Sequence, residues 1–278
     1  MAPLRPLLRR LATLALAALP LGAGALDRFE IQVYTAEIND PGQLGLEVHL
    51  NFTPRGLSTP EYPGAIPPDR VGRMTLEPAI GVTEWLELGA YLQLAAAPGG
   101  DYRYGGNKLR AKLVLPERIQ HELGLPVFLG LNAEVGRIPS AFEQWGWANE
   151  FRPIIGWRND TFLVSVNPIF GYALTGPEKF KPEFEPAAKL AWDTGRRVAL
   201  GVEYYAGLGP MFEGFLPARE QEHLVLGVLD LVPPREAEGA EKAAAAAGEW
   251  ELNVGVGAGL TRSTGQHLVV KAIVGRSF

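Results

Sequence analysis

Charged residues recur at every second position through much of this sequence, and any chemistry it performs must use that spacing. Lys108, Arg110 and Lys112 alternate with leucine and alanine. Glu47 and His49, and Glu150 and Arg152, stand two apart. In an extended chain such residues share one face. Collected along the sequence, the face carries Glu47, His49, Arg73, Glu77, Glu87, Lys108, Arg110, Lys112, Glu134, Glu150, Arg152, Lys189, Glu203 and Lys271. A face of both signs has two uses. It lines a water-filled passage with a transverse field that orients polar solutes, or it closes on itself as an ion-pair network, because charges in a narrow interior need partners. Both readings stay open. The basic trio at 108–112 is the strongest local attractor for an anion.

Other chemistry is thin. The histidines His49, His121, His223 and His267 are scattered, without metal-ligand spacing. The absence of cysteine removes thiolate sites, disulfides and a lipoprotein anchor. No metal and no cofactor is expected. Ser165 and Asn167 share a face, as in the Ser/His/Asn constellation of outer-membrane phospholipases, but no histidine stands beside them. The chain therefore reads as a non-enzyme, with a lipid-modifying barrel as the weakest alternative. Tyr102 and Tyr104 offer rings for stacking a ligand, against the plainer use of packing at a membrane rim. A formal charge of -5 argues against nucleic acid.

The elements that must carry this face are strands. In Glu249–Leu260 the even positions read Trp250, Leu252, Val254, Val256, Ala258 and Leu260, and the odd positions hold only glutamate, asparagine and glycine. That is a period of two, and His267–Phe278 repeats it after a short turn. The same alternation runs through Gln43–Phe52, Arg73–Val82, Trp85–Leu94, Lys108–Leu115, Val127–Gly136, Trp145–Trp157, Thr161–Tyr172, Glu183–Asp193 and Arg197–Gly207. Glu220–Val232 is apolar on both sides, and Arg28–Ile38 alternates weakly. About ten residues per strand is a tilted bilayer crossing.

A β-sandwich shares the composition, with its 33 glycines and 23 prolines. Three features favour a transmembrane antiparallel up-and-down β-barrel. The polar side carries charges at mid-strand, the apolar side places aromatics at strand ends, and an export signal precedes both. That signal is residues 1–25: Arg5, Arg9 and Arg10, the apolar run Leu11–Leu19, then Ala23-Gly24-Ala25 as a cleavage site. The barrel spans 26–278, with 233–248 as a low-complexity periplasmic linker. Thirteen strand candidates are one too many for an even barrel. Arg28–Ile38 is the segment to set aside, as a periplasmic lead-in or a lumen segment, giving 12 strands with 14 as the alternative. Short turns at Thr83-Glu84, Asn159-Asp160 and Asp193–Gly195 belong at the periplasmic side. Stretches 53–70 and 95–106 are the expected outer gate.

Across nearly the whole mature chain the sequence resembles outer-membrane barrels of the meta-pathway phenol-degradation family. The carrying stretches are FEIQVYTAEINDPGQLGLEVHLNFTP, EPAIGVTEWLELGAYL, KLRAKLVLP, EFRPIIGW and VNPIF. The resemblance implies an outer-membrane barrel for passive passage of small molecules, aromatic or hydrophobic ones among them, and supplies no catalytic residues. A closed structural or adhesive barrel with partner-binding outer loops is the alternative. Phe278, with Val274, Ala272 and Val270 upstream, resembles the signal read by the barrel-insertion machinery, with Arg276 where an apolar residue is usual. The expected partners are that machinery, outer-membrane lipid and a small-molecule solute.

Overall fold

The structure, a computed structural model, describes residues 27–231 and 250–278. The expected signal peptide (1–25) and linker (233–248) lie outside the described residues. Its strands are β1 (Leu44–Gly56), β2 (Gly72–Thr83), β3 (Leu86–Ala97), β4 (Asp101–Val114), β5 (Phe128–Arg137), β6 (Trp147–Arg158) and β7 (Phe162–Asn167). They continue as β8 (Phe170–Ala173), β9 (Glu183–Phe184), β10 (Ala187–Asp193), β11 (Val198–Gly207), β12 (Glu222–Leu231), β13 (Trp250–Gly259) and β14 (Gln266–Ser277). A short helix, α1 (Glu117–Glu122), lies between β4 and β5. All neighbouring strands are antiparallel, and β1 closes the ring against β14, with Val48 opposite Val274.

The ring has 12 staves, because β7 and β8 form one and β9 and β10 another. Against β6 the register passes from Ile155 opposite Val166 to Phe151 opposite Phe170 without a slip. Carried through the breaks, it aligns Pro153, Pro168 and Pro186 across three adjacent staves. Glu185 donates its N–H to the carbonyl of Ile169 (2.9 Å), so Pro168 turns its own backbone towards β6. There it meets Pro153, and neither proline has an N–H to give. Changing Pro153 and Pro168 together to valine should restore two ladder bonds and stabilise the barrel by roughly 1 kcal/mol per bond. The urea midpoint of folded barrel in micelles measures this. A lowered midpoint would mean that the wall needs the prolines' shape more than the bonds.

The two faces of the wall are sorted as the period of two requires. On β1 Leu46, Leu50 and Phe52 point out of the ring, while His49, Asn51 and Thr53 are buried inside it. Trp85, Trp157, Trp192, Trp250 and Phe278 stand exposed at the end holding the short turns, and Tyr102, Trp147 and Phe180 at the other, bracketing an aliphatic band. A β-sandwich would have hidden that band against a second sheet. Arg276, the odd residue of the terminal pattern, lies opposite Trp250 with its guanidinium 5.3 Å from that ring and 5.4 Å from the ring of Phe278. Two aromatic faces let a cation occupy an apolar row at the rim.

The stretch 95–106 is not a loop. β3 and β4 pair through it to a tight turn, with Ala97 opposite Asp101. Gly106, at φ 128°, makes the bulge that shifts the register between Gln93 and Leu94. The longer outer connections are 57–71, 138–146, 174–182 and 208–221.

Residues 27–43 form no stave. They run down the inside of the barrel. At the outer end Phe29 meets Phe142 of the 138–146 loop, ring centroids 5.1 Å apart. At the periplasmic end Gly42 donates to the carbonyl of Gly81 (2.8 Å), beside the closure where Phe278 donates to Leu44 (2.7 Å). Gly81 is required there, since a Cβ would stand 2.2 Å from the carbonyl oxygens of Asn39 and Asp40.

Candidate functional site

The lumen is filled by the inward charges and this segment together. All fourteen charged or histidine positions expected on the inner face do point inward, and all but Glu47 are buried. Near the outer end Arg28 pairs with Glu61 and, at 3.4 Å, with Glu222. Asn51 (3.0 Å) and Thr75 (3.2 Å) both donate to the carbonyl of Phe29. Lys108 bridges Asp27 (2.5 Å) and Glu134 (3.0 Å).

Halfway down, Arg152 donates to Glu150 (2.7 Å) and to the carbonyl of Gln32 (3.1 Å), and its guanidinium lies over the ring of Tyr34 at 4.4 Å. The Tyr34 hydroxyl shares a hydrogen bond with that of Tyr91 (2.6 Å). Ser165 donates to the Tyr34 carbonyl (2.6 Å), and Asn167 bonds both its N–H (2.7 Å) and its carbonyl (3.1 Å). Across from them Lys271 donates to the carbonyl of Ile31 (2.7 Å) and to Glu203 (2.5 Å). Glu203 also takes Lys189 (3.3 Å), which holds Asp230 (2.7 Å).

Towards the periplasm Arg110 clamps Glu77 (2.6 Å) and Glu87 (2.8 Å), and Lys112 donates to the carbonyl of Glu37 (2.6 Å). His49 lies 3.0 Å from Glu77 and 3.4 Å from Glu47. Linear spacing suggested no such cluster, because Glu77 reaches it from the next strand. Arg110 takes the other oxygen of Glu77, so one carboxylate ties the two basic side chains together, while Nδ1 of His49 is buried without a partner.

One expectation changes. Each member of the basic trio Lys108, Arg110 and Lys112 already holds an acid or a carbonyl, although Nη1 of Arg110 is left without an acceptor, so the trio does not stand free as an anion attractor. Ser165 and Asn167 both bond the backbone of Tyr34. Of the two uses of a mixed inner face, this conformation adopts the ion-pair network. An interior cavity of about 20 Å³, bordered by Glu30, Glu150, Arg152, Glu185 and Tyr205, has room for roughly one water.

Residues 27–43 also resolve the two-sided apolar run at 220–232. Leu224, Leu226 and Val228 face inward because Ile31 and Val33 pack on them, with Ile169, Ala187, Tyr205 and Val269 completing the cluster. The weak alternation of Arg28–Ile38 is therefore real: Ile31 and Val33 meet β12, while Glu30, Gln32 and Tyr34 meet the charged arc. Glu30, Tyr34, Tyr91 and Glu222, absent from the expected set, belong to the site. Strand phase alone would have found Tyr91 and Glu222.

No protein-family model matches the sequence, and no curated protein matches it. Solved structures do. An outer-membrane channel of the COG4313 group from Pseudomonas putida F1 superposes with a TM-score of 0.55 at 12% identity, covering 90% of this chain and 100% of that one. The fold is that of an outer-membrane β-barrel. A KdgM porin is similar at a TM-score of 0.49 and 10% identity, over 84% of this chain and 99% of the other. The translocator domain of the autotransporter NalP from Neisseria meningitidis gives 0.42 and 12%, over 87% and 90%.

Proposed function

We propose that this protein is an outer-membrane channel for passive passage of small molecules, gated from within by residues 27–43. The carrying observation is that the wall closes without the segment. Twelve staves pair all the way round, while 27–43 joins the wall's backbone only at its periplasmic end, through Gly42 and Gln43 on Gly81, and is held elsewhere through side chains. A removable filling inside a complete polar-lined ring is what a gate needs. The sequence resemblance to the phenol-degradation barrels brings aromatic solutes into this reading, and the apolar band around the wall supports a place in the outer membrane.

Planar-bilayer recording tests it. The full chain should be silent or flicker, and deletion of residues 28–38 should give steady current, because the lost groups are those that fill the lumen. A folded deletion variant that carries no current would defeat the channel. The filled lumen and the outward rings of Tyr102 and Phe212 would then favour a closed barrel that binds a partner through its outer surface.

A further inference from the structure

Among the fourteen inward residues, Arg73 alone has no hydrogen-bond or ion-pair partner among the described residues. It is 4% exposed, and its Nε and Nη1 are buried without an acceptor. Its neighbours are orphaned too. Asn51 lies directly opposite on β1, and Gln93 lies opposite Thr75, two residues along the same face. Both ends of the Gln93 amide and the Oδ1 of Asn51 are buried and unbonded. The acids nearby are committed elsewhere, Asp27 to Lys108 and both Glu61 and Glu222 to Arg28. A buried guanidinium with nothing to bind is costly, and such orphans call for an explanation.

Beside them is an aromatic socket. The Phe29 ring is packed among Val71, Ala95, Ile66 and Phe142, with the guanidinium carbon of Arg73 at 5.6 Å from its centroid. Phe142 meets it edge-on, at 83°. Gly105 leaves room for the flat ring, since a Cβ there would stand 2.6 Å from it.

From this juxtaposition we infer that the outer lumen contains a binding site for an aromatic monocarboxylate of the benzoate kind, occupied at rest by the chain's own Phe29. The ligand's ring takes the socket, and its carboxylate accepts from a free N–H of Arg73 and from the amide of Gln93, a charge-assisted bond beside a neutral one. The free oxygens of Gln93 and Asn51 suit a hydroxyl on the ring. The inference rests on the gated-channel reading in one respect: the segment must leave for the socket to empty.

Calorimetric titration of the purified protein with benzoate and with benzyl alcohol tests it. Phe29→Ala should bind benzoate about tenfold or more tighter than the unaltered chain, since the internal competitor is gone. Adding Arg73→Gln should weaken benzoate by about tenfold or more, the worth of a charged hydrogen bond, and change benzyl alcohol by less than about twofold. A folded Phe29→Ala barrel that binds benzoate no better than the alcohol would overturn the site, as would indifference to Arg73→Gln. If Phe29→Ala does not fold, Arg73→Met in the unaltered chain decides. Its urea midpoint should rise, because the charge is unused at rest, and a fall would overturn the assignment. Bilayer recording of the 28–38 deletion separates the two claims. Benzoate binding by Phe29→Ala without current from the deletion removes the channel and keeps the site. Current without benzoate preference removes the site alone.

Discussion

Replacing Arg152 with leucine is expected to free residues 27–43 from the lumen while the ring stays closed. Arg152 is the densest link between the two. It joins Glu150 of its own strand to the carbonyl of Gln32 and the ring of Tyr34, with Glu30 at 3.6 Å. Take it away and Glu30 and Glu150 remain buried without their cation, a loss of about 3–5 kcal/mol for a broken buried pair. Glu30 belongs to the segment, which has no ladder to hold it, so departure of the segment relieves the strain at least cost. That free energy would shift the seated-to-released ratio by about a hundredfold or more. The chain has no cysteine, so Val33→Cys gives a single reporter deep in the lumen. Its maleimide labelling should be slow in the parent and about a hundredfold faster with Arg152→Leu. Arg152→Lys should fall between, because one ammonium cannot serve Glu150 and the Gln32 carbonyl with the same geometry. Equal labelling rates in all three would show that Arg152 does not hold the segment.

The wall was legible in the sequence because a barrel strand declares itself residue by residue. Leu46, Leu50 and Phe52 against His49 and Asn51 say which side meets lipid before any partner strand is known. Strand number was legible for the same reason, including the odd candidate at 28–38, whose weak alternation reflects one apolar and one charged neighbour. The state of the lumen was not. Whether Lys108 faces water or Asp27 depends on a contact across 81 positions, and periodicity carries no information about it. The stretch 95–106 misled because its glycines read as a loop, whereas Gly105 and Gly106 make room for Phe29 and for a bulge. Arg73 looked like any other lumen charge, and only the committed partners of its neighbours mark it out.

Glu203 tests the other side of the lumen, where Lys271 of β14 and Lys189 of β10 converge on one carboxylate from β11. Glu203→Leu should lower the barrel's stability by about 3–5 kcal/mol, because it strands a fully buried ammonium. Lys189 keeps Asp230 at 2.7 Å, but Lys271 is left with the carbonyl of Ile31 alone. The temperature at which the folded band is lost on an unboiled gel, with urea midpoints in micelles, reads the change. Pairing Glu203→Leu with Lys271→Met removes both buried charges and should recover most of the loss, giving a coupling energy of about 2 kcal/mol or more. Recovery would show that the pair is a neutralised couple whose exact charges the wall does not need. A double variant as unstable as the single one would mean that Lys271 matters through the Ile31 carbonyl. The segment would then stabilise the ring as well as fill it, and its 28–38 deletion should lose stability to match.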